Sequence, residues 1–251
     1  MILADKRGPV PEAAPTTIHA LPRGRRHVQV ADALRRAIML GEVAPGAALL
    51  ELELASRFGC SQGPVREALL LLQEEGLVQR FGHRGTRVSE TSPDEALEML
   101  RLRRDMECRA ARRAFAGPPD PDLLPDLRGR LAAMEAAAAA GDAYALAQAD
   151  RAFHRRLFAA ARLPSLEPLL LRCLTHNHRF KMLRGPVPPD LAHTARRHLG
   201  ILAAVERRDG TALAAALAHH VATILDDGPS LLDEAERAGG AGAPARRGDA
   251  W

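Results

Sequence analysis

The sequence predicts a mostly α-helical protein in two parts: a small N-terminal unit of three helices closed by a hairpin, and a larger C-terminal antiparallel all-α helical bundle. Three observations carry this. Apolar residues recur at helical spacing through most of the chain. Strand-like alternation is confined to two short runs, "LVQRF" (77–81) and "TRVSE" (86–90), around "GHRG". Proline and glycine then cut the remainder into helix-length pieces with short connections. With 251 residues and 47% hydrophobic content, there is enough apolar material for real cores.

In the first unit, Val30, Leu34 and Ile38 recur every four residues, giving a helix that ends near Gly41 and runs into the turn "APGA" (44–47). A short helix, "ELELASRF" (51–58), follows, then "GCS" and the helix "QGPVREALLLLQEEG" (62–76). Ser61 is placed as the N-cap of that helix, Pro64 is tolerated in its first turn, and Gly76 ends it. Helix, helix, tight turn, helix, hairpin is the order of a winged helix-turn-helix. This unit is assigned to residues 27–90.

A new helix starts at Ser92, which can cap it, with Pro93 in the first turn. From there to residue 227, breaks at 116–121, 140–143, 162–164, 184–190 and 207–210 leave six helices, each roughly 15–22 residues long. Residues 1–26 and 236–251 are poor in core formers and are expected to be disordered; 228–251 is assigned as a C-terminal tail, disordered at its end.

Composition narrows the function classes. Cys60, Cys108 and Cys173 are odd in number, widely spaced and without a C-x-x-C pair, which argues against a disulfide framework or a thiolate zinc cluster. The N-terminus lacks a continuous apolar stretch, and no uncharged apolar run of about 18 residues occurs, so a cytoplasmic protein without a membrane partner is expected. The net charge of +4 is too mild to imply a nucleic-acid partner by itself. That inference must come from a motif.

The motif is residues 51–80. Leu54, Phe58, Val65, Leu69 and Leu72 can pack one helix across the next, leaving Ser61, Gln62, Gly63 and Arg66 at the exposed start of the second. Residues at that end of a helix reach base edges in the DNA major groove: arginine can bond guanine or phosphate, and glutamine can pair with adenine. The stretch "ALRRAIMLGEVAPGAALLELELASRFGCSQGPVREALLLLQEEGLV", within residues 28–90, resembles the GntR family of bacterial transcription regulators. The resemblance implies binding to double-stranded operator DNA, with Arg66 at the base-reading end and Arg84, Arg87 and His83 in the wing. Members typically carry arginine and threonine where this chain has Gln62 and Gly63, so the operator sequence is not carried over.

In the second unit, "DRAFH" (150–154) places Asp150 and His154 one helical turn apart. His198 and His220 each lie about 11 residues from the Asp209–Gly210 turn, or ~16–17 Å along their helices, and so are level across an antiparallel hairpin. One site built from Asp150, His154, His198 and His220 becomes possible. An oxygen and three nitrogens suit Zn²⁺, Ni²⁺, Mn²⁺ or Fe²⁺, with Zn²⁺ foremost.

Residues 92–227 resemble the FCD effector-binding domain of the FadR-like GntR subfamily, through "DRAFH", His198 and His220 separated by 21 residues, and "RRDME" (103–107) for R-x-x-L-E. The resemblance implies a metal site facing a pocket for a small carboxylate, with Arg103 as the effector's bidentate partner. Leu163 and Arg197 depart from the family's asparagine and acid and leave the effector unidentified. His176, His178 and His193 are spare candidates, read as pocket-lining or surface residues rather than ligands, His219 is either the surface partner of His220 or the ligand in its place, and Glu107 either orients a ligand or pairs with an arginine. The expected function is a homodimeric transcriptional repressor switched by a small organic acid on a metal, and not an enzyme. The alternative is a metal-dependent enzyme acting on a small carboxylate.

Overall fold

A computed structural model of the chain describes residues 26–82, 85–184, 190–223 and 232. The expected tails, apart from Arg26 and Leu232, lie outside the described residues, as do His83 and Arg84.

The N-terminal unit comprises α1 (Arg26–Met39), β1 (Ala48–Leu49), α2 (Glu51–Arg57), α3 (Gln62–Glu74), β2 (Val78–Arg80) and β3 (Thr86–Val88). Its core gathers the helical stripe Val30, Leu34 and Ile38 with Leu54, Phe58, Val65, Leu69 and Leu72, closed by Leu77, Val78 and Val88. Arg35 on α1 clasps both oxygens of Glu75 at the end of α3, at 2.7 and 2.6 Å. Ser61 holds the extended N-cap conformation before α3, but its hydroxyl makes no capping bond.

The expected hairpin is one strand short of the sheet that forms. The order is β1-β3-β2, all antiparallel, with Ala48 opposite Arg87 and Val78 opposite Val88. A two-residue strand is too short to show alternation. What places it is the "APGA" turn, where Gly46, at φ +76°, donates to the Val88 carbonyl at 2.9 Å and the Val88 N–H donates to Ala47 at 2.9 Å.

The second unit comprises α4 (Pro93–Ala116), α5 (Leu123–Ala139), α6 (Ala143–Ala159), a 3₁₀ turn at Pro164–Leu166, α7 (Glu167–Arg184), α8 (Leu191–Arg196), α9 (Leu199–Glu206) and α10 (Gly210–Ala222). Ser92 caps α4 in a full capping box: its hydroxyl accepts from the Glu95 N–H at 3.2 Å and the Glu95 carboxylate accepts from the Ser92 N–H at 2.9 Å. α4 lies along α10 and α7, and α5 along α6. Leu127, Met134, Phe153, Leu157, Leu213 and Leu217 fill the core between them.

Among the described residues, the helix anticipated across 190–207 is two, α8 and α9, because it breaks at Arg197 and His198. No glycine or proline marks the break. One tertiary and one local bond hold it: Arg197 Nη2 donates to the His220 carbonyl at 2.7 Å, and the His198 imidazole bonds the Ala195 carbonyl, three residues back, at 3.2 Å.

The two units touch. Tyr144 and Met182 pack against the N-terminal core, and Arg36 faces Asp142 at 3.4 Å. Leu69 has no exposed surface. Leu69→Ala is expected to lower the stability of the first unit by about 2–5 kcal/mol, and Ser92→Ala that of the second by about 1 kcal/mol, read from urea denaturation.

Candidate metal centre and nucleic-acid face

Three segments deliver four side chains to one buried point. α6 carries Asp150 and His154, the break before α9 carries His198, and the last turn of α10 carries His220. All four are buried, and their donor atoms lie within 4.8 Å of one another. His198 Nε2 is 3.1 Å from Asp150 Oδ1, His154 Nε2 is 3.8 Å from Asp150 Oδ2, and the Nε2 atoms of His154 and His220 are 3.2 Å apart.

Neighbouring groups set the tautomers. A carbonyl only accepts, so His198 Nδ1–H donates to Ala195, and its Nε2 carries a lone pair. Glu107 Oε2 sits 2.5 Å from His154 Nδ1. Burial pushes the Glu107 carboxyl up, but His154, then Arg103, outweigh it and bring it to about 2. Glu107 is therefore an anion that accepts from His154 Nδ1–H, an arrangement that in the neutral ring leaves Nε2 bare as well. Two imidazole lone pairs thus converge on an aspartate. Burial raises the Asp150 carboxyl, yet His178 and then His154 hold it well below the usual range. Burial, then His198 and His154, push His220 well below the ordinary histidine value, which keeps it neutral.

Lone pairs and a carboxylate facing each other repel. Asp150 Oδ2, His198 Nε2 and His220 Nδ1 are buried without a hydrogen-bond partner. A divalent ion reconciles them: metal–ligand bonds of ~2.0–2.2 Å separate neighbouring donors by roughly 3–4 Å, which matches the spacing found. The donor set fits a borderline cation such as Zn²⁺.

Arg103 is placed behind this centre. It is buried on α4, and its Nε donates to Glu107 Oε1 at 2.6 Å, while Nη2 has no partner. The bidentate fork foreseen for an effector is thus half engaged by Glu107. A line runs from Arg103 through Glu107 to His154, and Glu107 fills both roles left open for it. Of the spare histidines, His219 is exposed and His193 half-buried. His176 bonds Thr91 at 3.0 Å. His178 Nε2 approaches Asp150 Oδ2 at 2.8 Å. That place for His178 was not foreseen; its only sequence signal is the His176–Asn177–His178 run, which a helix face does not explain.

At the other end of the molecule, α3 buries Val65, Ala68, Leu69 and Leu72, which leaves Ser61, Gly63 and Arg66 exposed and Gln62 half-exposed. Arg66 Nε bonds Glu51, and its Nη2 donates to Gln62 Oε1 at 3.0 Å. Glu51 also faces Arg80 at 3.4 Å. Sequence reasoning missed Glu51, which orders the exposed arginine. Arg87 is exposed on β3 and donates to the Gly46 carbonyl at 3.0 Å. Arg84 lies outside the described residues. No helix among the described residues is long and apolar enough to cross a membrane.

Comparison with known proteins bears on both ends. Residues 26–88 match the gntR family of bacterial regulatory proteins, and residues 98–223 match the FCD domain. The chain is 33% identical over 201 residues to a protein of Paenarthrobacter nicotinovorans named "Probable D-xylose utilization operon transcriptional repressor", covering 78% of this chain and 86% of that one. It is 30% identical over 208 residues to the HTH-type transcriptional repressor RspR of Escherichia coli K12, covering 82% and 90%. The fold is shared with a solved structure of E. coli McbR/YncC at a TM-score of 0.63 and 24% identity, over 78% of this chain and 93% of that one.

Acid titration probes the buried histidines. Burial, then Arg179 and Arg172, bring His176 from 6.5 to about 4, and His178 and His220 are lowered in the same direction. A histidine lowered by folding favours the neutral form. Its contribution is complete above its unfolded value and is lost as pH falls through the folded one. Metal-free protein is therefore expected to lose stability as pH drops from 6.5 toward 4, measured by thermal denaturation. His176→Gln should remove up to ~3 kcal/mol of that slope.

Proposed function

Because the chain belongs to the GntR family of bacterial regulatory proteins and carries an FCD domain, we propose that it is a repressor whose operator affinity is set by a small carboxylate bound at a divalent metal. Its family and relatives make it a transcriptional regulator and not an enzyme, so the alternative of a metal-dependent hydrolytic bundle is set aside. The observation that carries the switch is the buried Asp150, His154, His198 and His220 cluster, in a chain whose other end exposes the start of a helix-turn-helix.

Each residue has a job in this reading. Asp150, His154, His198 and His220 hold the ion, which supplies Lewis acidity to bind a carboxylate. Glu107 fixes the His154 tautomer and makes the ring a better donor. Arg103, with its unpartnered Nη2 and one Glu107 bond, offers a cation to the acid. Ser61, Gln62, Gly63 and Arg66 enter the major groove, and Arg84 and Arg87 contact the backbone from the wing. A homodimer presents two such heads to a pseudo-palindromic site in the cytoplasm.

To read DNA, Arg66 exchanges its Glu51 and Gln62 partners for a base or a phosphate. The effector must prefer one domain arrangement, since moving a balance from 1:99 to 99:1 takes about 5.5 kcal/mol of differential affinity.

The test uses full-length protein made without a histidine tag, metal analysis, and fluorescence anisotropy on a DNA site selected from a random pool. The expected result is one divalent ion per chain and DNA affinity that changes on adding members of a small-carboxylate panel only when metal is bound. Protein that takes up no ion, or DNA affinity indifferent to every acid, overturns the reading. Arg66→Ala is expected to weaken DNA binding by about 1–3 kcal/mol, or to lower the salt slope by about one if the contact is to phosphate.

A further inference from the structure

His178 lies outside the four-residue cluster but touches it. Its Nε2 stands 2.8 Å from Asp150 Oδ2, while the ring is buried on α7, a helix that contributes none of the four. At that distance an N–H on His178 Nε2 can hold the Asp150 carboxylate in one orientation, as groups beside metal ligands do.

The side chains beside His178 are fastened to a different place. His176 Nδ1 meets the Thr91 hydroxyl at 3.0 Å, Asn177 Nδ2 donates to the Ala96 carbonyl at 3.2 Å, and Arg179 Nη1 donates to the Ser89 carbonyl at 2.7 Å. Ser89, Thr91 and Ala96 span the joint from the end of β3 into α4. α3 also ends on this turn of α7. At Gly76, with φ +77°, an added Cβ would come within 2.8 Å of His176 Nε2 and 2.7 Å of Arg172 Nε.

Four successive residues of one buried helical turn therefore hold the centre on one side and the root of the N-terminal unit on the other. A turn of helix rises only ~5.4 Å and moves as a body. Arg179 Nε and Nη2, Ser89 Oγ and Asn177 Oδ1 are also buried at this joint and keep hydrogen-bonding capacity that the present contacts do not use, which a second arrangement of the joint could engage.

We propose that His178 is a positioning residue that fixes Asp150 toward the cation and that residues 176–179 of α7 carry the state of the metal centre to the joint beneath the DNA-binding unit. This rests on the metal reading given above. His178 touches neither DNA nor, in this role, the ion.

The experiment measures two quantities on full-length protein: Zn²⁺ affinity by competition with a chelator, and the ratio of DNA affinities at full Zn²⁺ loading and without metal. His178→Leu is expected to weaken Zn²⁺ binding by about 10–100-fold and to bring the DNA ratio toward one. His178→Gln, which keeps an N–H donor at similar reach, should restore most of both. Arg179→Met should leave Zn²⁺ affinity within about twofold of the wild type and still abolish the ratio, a separation that general loss of packing does not produce. Wild-type protein that binds no Zn²⁺ overturns the metal reading and this inference together. Wild-type protein that binds Zn²⁺, with a DNA ratio of one or with ratios unaltered in His178→Leu and Arg179→Met, overturns only the coupling.

Discussion

The constraint on which the rest of the second unit depends is the convergence of imidazole rings on a carboxylate in the buried interior. Ala195 and Glu107 hold His198 and His154 in the tautomers that point bare Nε2 atoms inward, toward Asp150. Such a set repels itself unless a cation sits among its members. The cluster is also placed where the helices meet: α6 beside α4, α10 along α4, and the broken α8–α9 segment folded over them. Removing the convergence would leave polar atoms buried for no structural return, since apolar residues would pack the same space at lower cost.

A regulator needs the two ends of the chain to share energy, and contacts between the units are where that can happen. Tyr144 and Met182 pack against the N-terminal core in ordinary apolar contact. The joint at Ser89–Ala96 is different, because its bonds come from a helix that also approaches Asp150, and because several of its polar atoms are unmet. Rigid elements joined by a poorly satisfied contact are suited to two arrangements rather than a continuum.

The exposed face of the first unit shows a related economy. Arg66 is held by Glu51 and Gln62 before any DNA arrives, which limits the rotamer freedom lost on binding. The same bonds must be exchanged for contacts to the groove. In the proposed reading, Gln62 would gate the arginine as well as being a candidate reader of bases.

Much of this was legible along the chain. The stripe Val30, Leu34, Ile38, the capping box at Ser92 and Glu95, and the spacing of Asp150, His154, His198 and His220 are local or periodic signals, because helix geometry converts residue number directly into position. They determined the helical class, the order of the two units and the four clustered side chains. Only the tertiary structure decided the third strand at Ala48–Leu49, the break at Arg197 and His198, the approach of His178 to Asp150, and the half-engaged Arg103. The strand, the break and the His178 approach are made by contacts between residues far apart in sequence, whose distance no spacing along one element encodes, and Arg103 meets Glu107 one turn away on the same helix, where spacing allows the pair and only the packing decides that it forms.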